Sequence, residues 1–139
     1  MKFWDSSALV PLMLIEPRSH DIEQLLDRDD HIATADIASL EVTSAIWRRK
    51  HRRELTVEEI RLAETVFARL TRKWIRIEQS SDVVQRALVL LSRHPLRTLD
   101  AIQLASALVL AGSNRNLPIV TLDARLATAA RAEGFPTLP

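Results

Sequence analysis

Short apolar runs alternate along the chain with longer amphipathic stretches. Lys2–Trp4 reads as a strand, and a helix follows from about Ser6 until Pro11 kinks or ends it. After the break at Glu16-Pro17, His20–Arg28 has helical periodicity, Asp29-Asp30 is a turn and His31–Ala33 a short strand. Asp36 or Thr34 opens a helix that runs to about Arg53. Thr56-x-x-Glu59 is a capping box ahead of a helix to about Arg72. Trp74–Ile77 is a strand, and Ser81 starts a helix that stops before His94-Pro95. Thr98 caps an apolar helix that ends at Gly112. Ile119–Leu122 is a strand, Asp123–Glu133 a helix and Phe135–Leu138 a short edge strand. Strands that alternate with helices imply right-handed crossovers and a parallel sheet, so the fold class is α/β.

Composition narrows the chemistry. A chain of 139 residues, 47% hydrophobic and 27% charged, suits a single domain over residues 1–139 with its own core. Cysteine is absent, which excludes disulfides, thiolate metal sites and a cysteine nucleophile. Only two glycines occur, Gly112 and Gly134, so there is no GxGxxG and no P-loop. Asp5 interrupts the N-terminal apolar run, and no small-residue cleavage site follows it. No uncharged apolar run reaches about 18 residues, so a membrane span is not expected and the default location is cytoplasmic.

The net charge of +1 argues against a wholly basic nucleic-acid binder, but it conceals a division. Residues 1–47 carry three basic and nine acidic side chains, and residues 48–76 carry ten and four. Of the 19 basic residues 16 are arginine, which suits bidentate phosphate contacts; genome base composition explains the same bias.

Four acids interrupt apolar patterns. Asp5 follows the first strand and Asp123 a later one, so a parallel sheet puts both on its carboxyl edge, where open α/β folds bind ligands. The competing role for each is helix N-cap. Glu41, one turn after Ile37 and one before Ala45, lies in the apolar arc of its helix; an ion pair with Arg48 in the same arc is the alternative to a ligand role. Asp100 opens the most apolar helix of the chain and is otherwise a first-turn acid favoured by the helix dipole. Clustered carboxylates repel one another and call for a cation. With neither His nor Cys among them, Mg²⁺ or Mn²⁺ fits better than zinc, and such a centre suits phosphodiester hydrolysis.

Five segments occur in a familiar order: Phe3-Trp4-Asp5-Ser6-Ser7-Ala8-Leu9, Glu16-Pro17, Ser39-Leu40-Glu41-Val42, Leu99-Asp100-Ala101-Ile102-Gln103-Leu104-Ala105-Ser106-Ala107 and Val120-Thr121-Leu122-Asp123. Together they resemble the PIN-domain ribonucleases, in particular the VapC toxins of bacterial toxin–antitoxin pairs. The resemblance implies a PIN-like three-layer sandwich, with a central parallel sheet of four to five strands flanked by helices. It implies RNA cleavage with Mg²⁺ or Mn²⁺ held by Asp5, Glu41, Asp100 and Asp123, supported by the hydroxyls of Ser7 and Thr121. It also implies a VapB-like antitoxin partner and a homodimer. Some relatives carry a further acid just past the last Asp, whereas Ala124–Ala132 holds none.

Arg48, Arg49, Lys50, Arg52 and Arg53 form the densest basic run, at the end of Glu41's helix and roughly 10–18 Å beyond it at about 1.5 Å per residue. They are candidate phosphate contacts; a solvated helix end whose cations complement the dipole is the other reading. Trp47 and Trp74 are expected in the core, leaving no base-stacking platform. Two further readings stay open: a PIN-like nuclease acting on structured DNA or in RNA maturation, and an inert α/β interaction module whose acids are caps and ion pairs.

Overall fold

The structure, a computed structural model, describes residues 1–139. The strands are β1 (Lys2–Trp4), β2 (Ile32–Ala35), β3 (Ile75–Ile77), β4 (Ile119–Val120) and β5 (Thr137–Leu138). The helices are α1 (Ser6–Leu9, continued by a 3₁₀ turn at Val10–Leu12), α2 (Ser19–Arg28), α3 (Ala38–His51), α4 (Val57–Thr71), α5 (Ser81–Arg93), α6 (Thr98–Ala111) and α7 (Ala124–Ala132). All five strands are parallel, in the order β3-β2-β1-β4-β5. The expected parallel sheet of four to five strands is therefore present at its upper count.

The core explains the three layers. Alternate side chains of β1 point to opposite faces of the sheet. Trp4 joins a buried cluster with Ala8, Leu9, Ile22, Val42, Ile46 and Ala63, so the first four helices cover that face. Phe3 joins Val83, Leu90, Ala101, Leu104, Leu126 and Ala129, so the last three helices cover the other. The chain winds outward from β1 through β2 to β3, then returns across the sheet to β4 and β5. The direction of winding reverses between β1 and β4, and that switch point opens a crevice beyond their carboxyl ends.

Local details refine the sequence expectations. The Thr56–Glu59 capping box forms with both of its hydrogen bonds. Pro11 limits α1 to Ser6–Leu9 and falls within the 3₁₀ turn. Neither Thr34 nor Asp36 opens α3, which starts at Ala38. Thr34 lies inside β2 and donates its hydroxyl to the Trp4 carbonyl, so the side chain is spent on the sheet. The Asp36 amide is held by the Ile77 carbonyl, which extends the strand path before the helix can begin. The cap of α6 is Arg97 rather than Thr98, because Asp100 accepts from the Arg97 amide. No helix is long and apolar enough to cross a membrane.

Candidate active site

The four sequence-selected acids come together on the rim of this crevice. Asp5 directly follows β1 and is 3% exposed. Its Oδ2 accepts the Ser7 amide at 3.2 Å, the Ser7 hydroxyl at 2.5 Å and the Thr121 hydroxyl at 3.0 Å. Each hydroxyl has one proton, and both protons go to Asp5; in return Ser7 Oγ accepts the Leu122 amide and Thr121 Oγ1 the Asp123 amide. These bonds fasten the end of β1 to the end of β4, and they terminate the β4 ladder before Leu122, two residues earlier than the sequence suggests. Oδ1 of Asp5 has only the Ser6 hydroxyl, at 3.5 Å.

The other three reach the rim from separate elements. Glu41 comes from α3 on one face of the sheet and Asp100 from α6 on the other, while Asp123 follows β4. Both cap readings are correct in geometry: Asp5 caps α1, and Asp123 accepts the Arg125 and Leu126 amides at the start of α7. A cap need use only one carboxylate oxygen, so capping leaves the other available. The alternative for Glu41 fails. It forms no ion pair with Arg48, and its partner is the Gln103 amide at 2.5 Å. Gln103 is the functional residue that sequence reasoning does not single out; its signal is an amide one turn past Asp100 in a largely apolar helix.

Electrostatics mark this rim as unusual. None of the four acids joins a salt bridge. Burial pushes the Asp5 carboxyl above its ordinary value against the Ser7 and Thr121 hydrogen bonds, with a further push from Asp100. Burial raises Glu41, and Asp5 and Asp100 add to it. Burial also raises Asp100, seconded by the charge of Asp123, against the Arg97 amide and the charges of Arg97 and Arg125, which pull it down. Asp5, Glu41 and Asp100 thus each feel the charge of another rim acid, a repulsion that a bound cation would relieve.

The donor chemistry fits a hard divalent ion. The available donors are carboxylate and hydroxyl oxygens, with neither His nor Cys, and Mg²⁺ and Mn²⁺ take such oxygens. The rim acids are more open than a closed cage. The only group of three or more residues with potential ligand atoms within 4.8 Å of one another is Asp29, Asp30 and His31, ahead of β2 at the opposite edge of the sheet. No three of the rim acids offer ligand atoms that close together, so in this arrangement at most two would reach one ion directly; Mg²⁺ commonly takes one or two carboxylates and keeps waters for its remaining positions.

A cleft of about 620 Å³ adjoins the acids, lined by Glu41, Ser7, Leu40, Arg48, Arg97 and Leu99 among others. The basic run divides around it. Arg48, two turns after Glu41 on the same stripe of α3, lines the cleft, whereas Arg49 turns away to Glu16 and Glu54, each at 3.4 Å. Lys50 lies 4.2 Å from the centre of the Trp47 ring, and Arg52 and Arg53 are exposed at the helix end. Trp74 is buried as expected, but Trp47 is 36% exposed. It sits on the outer side of α3, where the sequence period leaves it between core and solvent stripes.

A doubly wound parallel sheet with acids gathered at its central crevice is the arrangement of a PIN domain. A PIN-domain family model matches residues 2–132, and the chain belongs to the PIN-domain family. Two curated relatives from Mycobacterium tuberculosis are Ribonuclease VapC45 of strain CDC 1551 / Oshkosh and Ribonuclease VapC49 of strain ATCC 25618 / H37Rv. Each is 31% identical over 137 residues, spanning 99% of this chain and 94% of the relative. The crystal structure of PAE2754 from Pyrobaculum aerophilum superposes with a TM-score of 0.64 at 20% identity, over 98% of this chain and 87% of that one, and supports the fold.

Proposed function

We propose that the protein is a single-domain endoribonuclease that depends on Mg²⁺ or Mn²⁺ and serves as the toxin of a toxin–antitoxin pair in the cytoplasm. One observation carries this reading: the rim gathers four carboxylates, none of which has a cation of the chain within salt-bridge distance. The two VapC ribonucleases that match along almost their whole length support it.

Asp5, Glu41, Asp100 and Asp123 would hold the ion. When bound, it supplies activation of a water and stabilisation of charge on the phosphate and the leaving oxygen. Ser7 and Thr121 fix the Asp5 carboxylate through Oδ2, so that Oδ1 would be available to an ion. Arg48 in the cleft, with Lys50, Arg52 and Arg53 beyond it, offers a track for the RNA backbone, and Arg97 flanks the opposite wall. Arg49 is a poorer phosphate ligand, because Glu16 and Glu54 already engage it. A VapB-like antitoxin is the partner on this reading, and the working unit is a homodimer. Ile15 and Leu62 beside an apolar groove between the 3₁₀ turn, α2 and α4 support the need for a protein partner.

The test is digestion of total RNA with Mg²⁺ or Mn²⁺ by the wild type, Asp5→Ala and Asp100→Asn. Cleavage by the wild type alone is expected, and equal cleavage by all three overturns the reading. Flap DNA digested in parallel distinguishes a ribonuclease from a nuclease on structured DNA.

A further inference from the structure

Gln103 is 1% exposed, in the most apolar helix of the chain. The other buried polar residue of α6, Ser106, satisfies itself by donating to the Ile102 carbonyl one turn back. Gln103 makes no such local bond. Its Nε2 donates to Glu41 Oε2, and its Oε1 is fully buried with no partner. The orientation of the amide follows from chemistry, since only the NH₂ end can face an ionised carboxylate. An orphaned buried carbonyl is costly, and an apolar side chain of the same shape would remove that cost. The residue therefore opposes the stability of its own helix while holding one carboxylate.

Its position is equally specific. Gln103 lies three residues after Asp100, on the same side of α6. One helix thus carries a rim acid and, a turn later, the donor that fixes a second rim acid from α3. The two helices belong to opposite layers of the fold, and this bond joins them past the edge of the sheet.

We propose that Gln103 is a positioning residue that sets the Glu41 carboxylate for divalent-cation binding, an inference that rests on the reading of the rim acids as metal ligands. Residues that orient metal ligands through hydrogen bonds are worth about 10–100-fold in metal affinity. The experiment is Mn²⁺ titration of the full-length wild type, Gln103→Met, Glu41→Gln and the double variant by calorimetry, with thermal unfolding of each metal-free protein. Gln103→Met should weaken Mn²⁺ binding about tenfold. It should leave the unfolding midpoint equal or higher, since the orphaned oxygen is gone and half-exposed Glu41 regains water. In the Glu41→Gln background it should add no more than about twofold, because its action passes through Glu41.

Unchanged Mn²⁺ affinity in Gln103→Met, or effects that simply add in the double variant, overturns the positioning role. A lowered midpoint with wild-type affinity does the same and makes Gln103 a structural tie between α3 and α6. If the wild type itself fails to bind Mn²⁺, or Glu41→Gln binds like the wild type, the metal-ligand reading falls and the inference with it.

Discussion

Two groups of acids sit at opposite edges of one sheet, and they differ in what surrounds them. At the amino edge, Asp29 meets the N-terminal amine and Lys2 and accepts from the His31 amide and ring. The N-terminal amine, first among these partners, holds its carboxyl well below the ordinary range. At the carboxyl edge, Asp5, Glu41 and Asp100 have no ion pair, and burial holds all three above the ordinary range. The tighter cluster is thus the satisfied one. Proximity of carboxylates is a weak sign of a metal centre; partly buried carboxylates that the fold leaves without a salt bridge are a stronger one.

The largest effect should separate the edges by activity. Asp5→Asn or Asp100→Asn should lower metal-dependent RNA cleavage by about 100-fold or more, a few kcal/mol of lost charge stabilisation. Asp29→Asn should leave cleavage within about twofold and instead lower the unfolding midpoint by roughly 2–5 °C, as the loss of a multiply paired surface acid does. Cleavage rates and melting curves on the same three preparations check both halves. An Asp29 variant that loses activity would erase the distinction between the edges.

Stability against pH should show opposite slopes. A carboxyl whose folded pKa is raised binds its proton more tightly in the folded state, so its contribution is present at low pH and is lost as pH rises through the folded value. That sign applies to Asp5, Glu41 and Asp100, from ordinary values of 3.8 and 4.5 upward. Asp29 has the reverse sign: its contribution is present above 3.8 and is lost as pH falls below it. Metal-free Asp100→Asn should therefore melt higher than the wild type at neutral pH, with the gap closing toward pH 4. Saturating Mn²⁺ should raise the wild type by roughly 5–10 °C and remove the variant's advantage, since about 2.7 kcal/mol is gained at a hundredfold excess over Kd. Metal-free melts from pH 4 to 8, repeated with Mn²⁺, test the sign directly.

Much of this was legible in the sequence. Strand–helix alternation gave the parallel sheet, and an acid directly after an apolar run gave two of the rim positions, because the carboxyl ends of parallel strands share an edge. Glu41 and Asp100 were found by being polar in apolar arcs, a signal that survives folding. Gln103 carried the same signal but has no charge, so nothing in its identity suggested chemistry until Glu41 was placed beside it. Trp47 was misassigned because a helical period separates faces by angle and cannot say how far the neighbouring layer extends. Likewise Arg48 and Arg49 are adjacent in sequence but turn to different surroundings: only the approach of Glu16, 33 residues earlier, reveals that one of them is occupied.

That last pair extends the lesson from acids to cations and makes the smallest, most selective prediction. Arg48 lines the cleft beside Glu41 and joins no ion pair, whereas Arg49 is held by Glu16 and Glu54. A guanidinium already engaged by two carboxylates would have to give them up to meet a phosphate, so it should release fewer counterions on binding. In an Asp100→Asn background that keeps the RNA intact, Arg48→Ala should weaken single-stranded RNA binding by about 3–10-fold. It should also make the slope of log affinity against log salt less steep by about 0.7, the value for one phosphate contact on a single strand. Arg49→Ala should change the slope by less than half as much and register in the unfolding midpoint instead. Anisotropy titrations with a labelled oligonucleotide at several salt concentrations measure both slopes. Equal slopes for the two variants would mean that a charge's existing partners do not decide its role on this surface, and the contrast between the two edges of the sheet would lose its generality.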